Sequence, residues 1–299
     1  MEFLQPSTWS EALEMKAGHP DATPIAGGTD VMVELNLDHN RPGAIMDLTR
    51  VRELAEWGTD DGLLRIGAGV TYTRLIDELG DRLPGLAMAS RTVGSPQIRN
   101  RGTVGGNLGT ASPAGDAHPP LLAADAQVEL QSMPGGVRRV PVREFFTGPK
   151  RNAMRKDELI GAFLVNPARG GQQFSKVGTR NAMVIAVCSF ALDLDPERRA
   201  VGTGIGSAGP TPLRAVEAEE FIAGELDWQN RKPPSDATLR RFGELVAAAA
   251  KPIDDVRGTA AYRRHALAVM ARRCLMWAWA GATPSHSWGG GTRGAPEGP

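Results

Sequence analysis

The chain has 299 residues, with 34 basic and 34 acidic side chains and a formal net charge of zero. That balance excludes the electrostatic footprint of a nucleic-acid binder, and no apolar run approaches the roughly 20 residues needed to span a bilayer. Two cysteines, Cys188 and Cys274, are too few to ligate an iron–sulfur cluster. His19, His39, His118, His265 and His286 show no metal-ligand spacing, so a metal or cluster is expected only on another chain. Met1 to Pro6 lacks the basic and apolar segments of a signal peptide, and a cytoplasmic protein is expected.

The first segment reads strand, helix, strand, turn, helix. Thr8-Trp9-Ser10-Glu11 has the form of a capping box. Ala22 to Ala26 reads as a short strand that runs into Gly27-Gly28, and Val31 to Leu37 as a helix behind that turn. Ile45-Met46 marks another strand. Leu63 to Val70 is a strand with small residues suited to close approach. Leu75, Ile76 and Leu79 give one helix face, and Leu86 to Val93 a second apolar helix.

Ala126 to Leu130 and Val137 to Val142 predict a hairpin around Pro134-Gly135-Gly136. From about Gly170, three strands are expected at Phe174 to Val177, Val184 to Leu194 and Ala200 to Ile205, the last two joined through Asp195 to Arg199. Two helices follow, centred on Glu244 to Ala250 and Tyr262 to Trp279. In the second, Leu267, Met270, Cys274 and Trp277 form one stripe. After Gly281 the composition predicts a disordered tail.

Two glycine turns carry the chemistry. The first is Pro24-Ile25-Ala26-Gly27-Gly28-Thr29-Asp30. The second is Arg101-Gly102-Thr103-Val104-Gly105-Gly106-Asn107. Residues without a β-carbon let backbone N–H groups approach an anion closely, and a helix opening at the turn adds its dipole. One such turn is a weak signal, and an ordinary tight turn is its plain alternative. Two together point to the halves of a cradle for the pyrophosphate of a dinucleotide cofactor. On this reading Gly27→Val or Gly106→Val fills the cradle and abolishes cofactor retention. Thr29 and Asp30 are expected to cap the following helix or meet a sugar hydroxyl. Thr103 offers a hydroxyl donor, and Asp116 an acceptor for a ribose or ribityl hydroxyl.

Gly204-Ile205-Gly206-Ser207-Ala208-Gly209 satisfies G-x-G-x-x-G, but Pro210 and Pro212 forbid the helix that a Rossmann site needs there. It reads as a strand end and a turn. In Phe174 to Arg180 an aromatic ring could shield a flat cofactor and Lys176 could stabilise a reduced, anionic one. A strand with solvated charges is the plain alternative.

At these residues the chain resembles the FAD-binding medium subunit of the molybdenum hydroxylases, of the xanthine dehydrogenase and carbon monoxide dehydrogenase type. The similarity runs from about Phe3 to about Leu275. It rests on Ala26 to Asp30, on Ile98 to Leu108 with Ala111-Ser112-Pro113 and Asp116, on Gly206 to Arg214, and on Pro252 to Gly258 with Tyr262-Arg263-Arg264. One departure is visible: relatives often carry an acidic residue where Val184 stands.

The resemblance implies an α+β protein with a PCMH-type FAD-binding fold. Two α+β subdomains, 1–58 and 59–168, would sandwich FAD. A C-terminal domain, 169–280, would hold a three-stranded sheet with helices, and 281–299 would be the tail. It implies that Ile25 to Asp30 and Thr103 to Asn107 hold the pyrophosphate. It places Asp116 and Lys176 near the flavin or ribityl chain, and packs Val93, with Leu159 or Ile160, on the cofactor.

It also implies a heterotrimer, assembled as a dimer of heterotrimers. A large subunit holds the molybdenum cofactor, a small subunit carries two [2Fe-2S] clusters, and this oxidoreductase subunit passes electrons through FAD to an external acceptor. No catalytic nucleophile or metal ligand is required on this chain. Arg263-Arg264 and Arg272-Arg273 could serve a subunit interface or simply be solvated. Two other readings remain at this point. One is a stand-alone FAD-dependent reductase of the same cofactor fold, like the enolpyruvyl reductase of cell-wall synthesis. The other is a flavin-free assembly scaffold.

Overall fold

In this computed structural model, which describes residues 1–39, 41–181 and 183–281, the chain opens with alternating strands and helices. They are β1 (Glu2–Leu4), α1 (Trp9–Gly18), β2 (Thr23–Ile25), α2 (Val31–Asn36) and β3 (Ala44–Asp47), and the strands form a parallel sheet in the order β1-β3-β2. Thr8 caps α1 as the sequence predicts, its hydroxyl accepting from the Glu11 N–H at 3.2 Å. The return bond of the box shifts by one residue. The Glu11 carboxylate accepts from the N–H and hydroxyl of Ser7, at 2.7 and 2.8 Å. Because the sheet is parallel, β2 delivers the first glycine turn at a strand's carboxyl end, where such sheets open to ligands.

The next segment builds an antiparallel sheet in the order β4-β5-β10-β6-β7. Its strands are β4 (Trp57–Asp60), β5 (Leu63–Gly67), β6 (Gln127–Ser132), β7 (Gly136–Pro141) and β10 (Leu159–Val165), with a two-stranded ribbon of β8 (Phe146–Gly148) and β9 (Arg151–Asn152) beside it. Between β5 and β6 run α3 (Tyr72–Leu79), α4 (Pro84–Arg91), α5 (Pro96–Arg99), α6 (Val104–Thr110) and α7 (His118–Ala123). The short α8 (Val142–Phe145) follows β7. The small residues after β5 do permit close approach: a β-carbon at Gly67 or Gly69 would press on the Leu54 carbonyl. The hairpin of β6 and β7 is as predicted.

β10 is the central strand of this sheet, and the sequence reading missed it. Every residue of Leu159–Val165 is buried, so the strand shows no alternation that would announce it. Its side chains join β5, β6 and the first three strands in one core through Met46, Leu64, Ile66, Val128, Leu130 and Phe163.

The last third is an antiparallel sheet, β11 (Gln172–Val177), β12 (Cys188–Asp195) and β13 (Ala200–Gly206), covered on one face by helices. Three helices lie there, not two: α9 (Val216–Glu225), α10 (Asp236–Ala249) and α11 (Ala260–Trp279). β12 starts at Cys188 rather than Val184. Leu267, Met270 and Cys274 do form the buried stripe of α11, but Trp277 is only half-buried and Trp279 is buried instead. The disorder expected beyond Gly281 lies outside the described residues.

The glycines of β13 explain how this sheet meets the rest. A β-carbon at Gly202 would overlap the Ala123 carbonyl, and one at Gly204 the Pro119 carbonyl. One at Gly206 would overlap the Ser189 hydroxyl and the Pro119 ring. Residues 202, 204 and 206 share one strand face, so this bare face lets the backbone of α7 lie directly on β13. The architecture is α+β.

Candidate cofactor site

At the first turn Gly28 has φ of 77°, a conformation that costs glycine nothing and other residues dearly. Gly27 has a different duty. A β-carbon there would sit inside the Arg101 carbonyl group, more than an ångström within ordinary contact. The first turn is therefore pressed against the residue that leads into the second. The N–H groups of Gly27, Gly28 and Thr29 meet no protein acceptor among the described residues. The expected cap by Asp30 or Thr29 does not form. Asp30 already has helical dihedrals (φ −106°, ψ −51°) and its side chain caps nothing; its carboxylate accepts from the Thr110 hydroxyl on α6 at 3.0 Å.

At the second turn Thr103 caps α6, its oxygen accepting from the Gly106 N–H at 2.9 Å and leaving its own proton free to donate. Gly105 packs on Ala68: a β-carbon there would fall 2.5 Å from that residue's Cβ and carbonyl oxygen. Gly106 is exposed, and its nearest neighbour would be the Thr103 hydroxyl at 3.1 Å. Of these two glycines, Gly106 is the one whose missing side chain meets a single hydroxyl rather than backbone. Behind the turn, His118 donates from Nε2 to the Asn107 carbonyl at 3.1 Å. Full burial lowers its pKa to about 4, so the ring is neutral.

Between the turns lies a cleft of about 690 Å³, ample for a cofactor-sized ligand. Ala26 to Asp30 line one side, and Thr103, Gly105, Gly106 and Asn107 the other. Val93, Leu48, Leu54, Met154 and both Leu159 and Ile160 supply apolar wall. Leu48, Leu54, Met154 and Arg101 were not singled out as site residues from sequence, although Arg101 opens the second glycine motif. Lys150 of the cleft wall pairs with Glu34 of α2 at 2.8 Å.

Four expected residues stand outside the cleft lining. Ile25 ends β2, and Val104 is fully buried behind α6. Asp116 and Lys176 form a buried ion pair at 2.5 Å, adjoining the cleft through Thr92 and Val93. Asp116 also accepts from the Thr92 hydroxyl at 3.2 Å, and Lys176 donates to the Thr92 carbonyl at 3.2 Å. Burial pushes the Asp116 carboxyl above its ordinary pKa, with Lys176 and Thr92 pulling back. Phe174 does not face the cleft: it is buried with Ala89, Ala123 and Ala191 where α4 and α7 meet the last sheet.

The site suits a dinucleotide. It offers unengaged backbone donors, an open face at Gly106, and the Asn107 Oδ1, which is buried without a hydrogen-bond partner. Among the described residues no cluster of His, Cys, Asp or Glu is placed to hold a metal, and no helix is long and apolar enough to cross a membrane.

Comparison with known proteins agrees. Residues 1–166 match the family described as the FAD binding domain in molybdopterin dehydrogenase, and residues 173–278 the CO dehydrogenase flavoprotein C-terminal domain. The chain belongs to the FAD-binding subunits of the molybdenum hydroxylase family, and is an oxidoreductase subunit whose cofactor is FAD. Among its relatives, the xanthine dehydrogenase FAD-binding subunit of Escherichia coli O157:H7 is 34% identical over 289 residues, covering 94% of this chain and 96% of that one. The nicotinate dehydrogenase FAD-subunit of Eubacterium barkeri is 33% identical over 236 residues, covering 75% and 79%. The fold superposes with a TM-score of 0.85 on carbon monoxide dehydrogenase from Hydrogenophaga pseudoflava lacking the Mo-pyranopterin moiety of its molybdenum cofactor, at 27% identity and covering 95% and 98%.

Proposed function

We propose that this chain holds FAD across the cleft and serves as the electron-transfer subunit of a cytoplasmic molybdenum hydroxylase. It would work beside a large molybdenum-cofactor subunit and a small [2Fe-2S] subunit, as a dimer of heterotrimers. FAD, where bound, would supply the redox chemistry that links one-electron donors to an external acceptor. The chain's own residues bind, orient and shield. The N–H groups at Gly27 to Thr29 and the bare face of Gly106 receive the diphosphate. Asn107 Oδ1 accepts from a ligand donor, and Val93 and Ile160 exclude water. The buried Lys176–Asp116 ion pair, bonded to Thr92 next to Val93, would brace that wall of the cleft as a neutral unit. Residues 1–58 and 59–168 form the two halves around the cofactor, and 169–280 the C-terminal domain.

One observation carries this reading: two glycine turns far apart in sequence converge on a single cleft. The test is purification of the chain alone and with its partner subunits. One FAD per chain, co-elution of three subunits, and bleaching of the flavin when the complex receives its substrate are expected. A yellow monomer that turns over a nicotinamide cofactor unaided would favour the stand-alone reductase. A colourless protein that still assembles its partners would favour the scaffold.

A further inference from the structure

The cleft walls carry four charged residues, Asp30, Glu34, Arg101 and Lys150. Lys150 is spent on Glu34 at 2.8 Å. The Asp30 carboxylate takes a hydrogen bond from Thr110 and stands uncompensated in the turn meant for an anion. Arg101 is an exposed residue of the cleft wall, and among the described residues no hydrogen bond, ion pair or ring contact engages its side chain. Its main chain is the surface against which Gly27 packs, so its side chain springs from the joint of the two turns. Its backbone is braced there. The Arg101 N–H donates to the Ile98 carbonyl at 3.1 Å, and the next residue, Gly102, donates to the same carbonyl at 2.6 Å.

A diphosphate brings two negative charges into this cleft. Backbone N–H groups supply hydrogen bonds but no net charge, and Asp30 repels the ligand. A guanidinium presents donors in a planar fork suited to phosphate oxygens, and it stays charged at every working pH. We propose that Arg101 is the cation that binds the FAD diphosphate and offsets Asp30. This rests on the reading that the cleft holds FAD, and it adds to that reading the charge that selects a diphosphate ligand over an uncharged flavin.

The experiment uses the full chain, freed of flavin and titrated with FAD at about 50 mM and about 500 mM salt, where screening differs strongly. Arg101→Gln and Arg101→Lys are compared with the parent, and flavin-free melting is recorded for each. Arg101→Gln should weaken FAD about ten- to a hundredfold at low salt, the loss expected for one charged hydrogen-bonding group. The deficit should shrink at high salt, Arg101→Lys should recover much of it, and flavin-free melting should be unchanged. FAD affinity within twofold of the parent would overturn the proposal, as would a loss that ignores salt and is not eased by lysine. If the parent itself fails to bind FAD, the cleft reading falls instead.

Discussion

Replacing Gly106 by valine and, separately, Gly27 by alanine divides the cradle into the part that touches ligand and the part that holds the fold. Gly106 lies in α6 and is exposed, with only the Thr103 hydroxyl, at 3.1 Å, near its missing β-carbon. Valine is a few tenths of a kcal/mol better than glycine within a helix, and its β-carbon needs the Thr103 hydroxyl to give by only a few tenths of an ångström. The flavin-free Gly106→Val chain should therefore melt close to the parent. Its isopropyl group, however, occupies the face where the diphosphate must approach. Losing one or two charged hydrogen bonds, at about 1.5–3 kcal/mol each, lowers FAD affinity by roughly one to four powers of ten. Gly27→Ala acts through the fold. Its β-carbon overlaps the Arg101 carbonyl by more than an ångström, backbone against backbone, so no rotamer relieves it. Overpacking of that kind costs about 3 kcal/mol or more, a fall in melting temperature of roughly 6–12 °C for a domain of this size. The assay is visible flavin absorbance per chain, with melting of the flavin-free proteins. Full flavin content in Gly106→Val would refute the assignment of that face. Parental melting in flavin-free Gly27→Ala would refute the packing argument.

His118 gives a pH dependence. Its folded pKa of about 4 lies below the ordinary value, so the stability it contributes is complete above about pH 6.5 and is lost as pH falls toward 4, about 3 kcal/mol across the window. His118→Gln keeps a donor for the Asn107 carbonyl, and urea melts at pH 7 and pH 5 should differ less than the parent's; an undiminished difference would contradict this. Gly204→Ala should cost about 3 kcal/mol or more through its clash with the Pro119 carbonyl, while its folded fraction keeps parental FAD affinity. A selective loss of FAD affinity with unchanged stability would make that glycine a cofactor residue after all.

What could be read from sequence was whatever depends on neighbours along the chain. The Thr8 cap, the β6–β7 hairpin and the stripe of Leu267, Met270 and Cys274 are local patterns, and the structure contains them. β10 escaped because burial on both faces erases alternation. The half-burial of Trp277 depends on what packs against α11, which no helical period specifies. Phe174 failed for the same reason: a strand's period says which residues share a face, not which neighbour that face meets. Asp116 and Lys176 were each visible as candidates, yet nothing in a sequence shows that they would spend their charges on one another.

The glycines show most clearly where such reading stops. Gly27, Gly105, Gly202 and Gly204 are bare because another part of the protein lies against them; Gly28 is bare because its backbone turns left-handed; Gly106 is bare toward open space. A ligand phosphate and a neighbouring carbonyl exclude a β-carbon equally well, so the letter G cannot distinguish them. The two meanings are nevertheless joined in this molecule. The contact of Gly27 with Arg101, the bond from Thr110 to Asp30 and the pair of Lys150 with Glu34 all tie the first turn and α2 to the second half of the site. These contacts within the protein hold the two sides of the cleft together. On the proposed reading, the precision of diphosphate binding would be set by residues that pack the turns together as much as by the N–H groups that would face it.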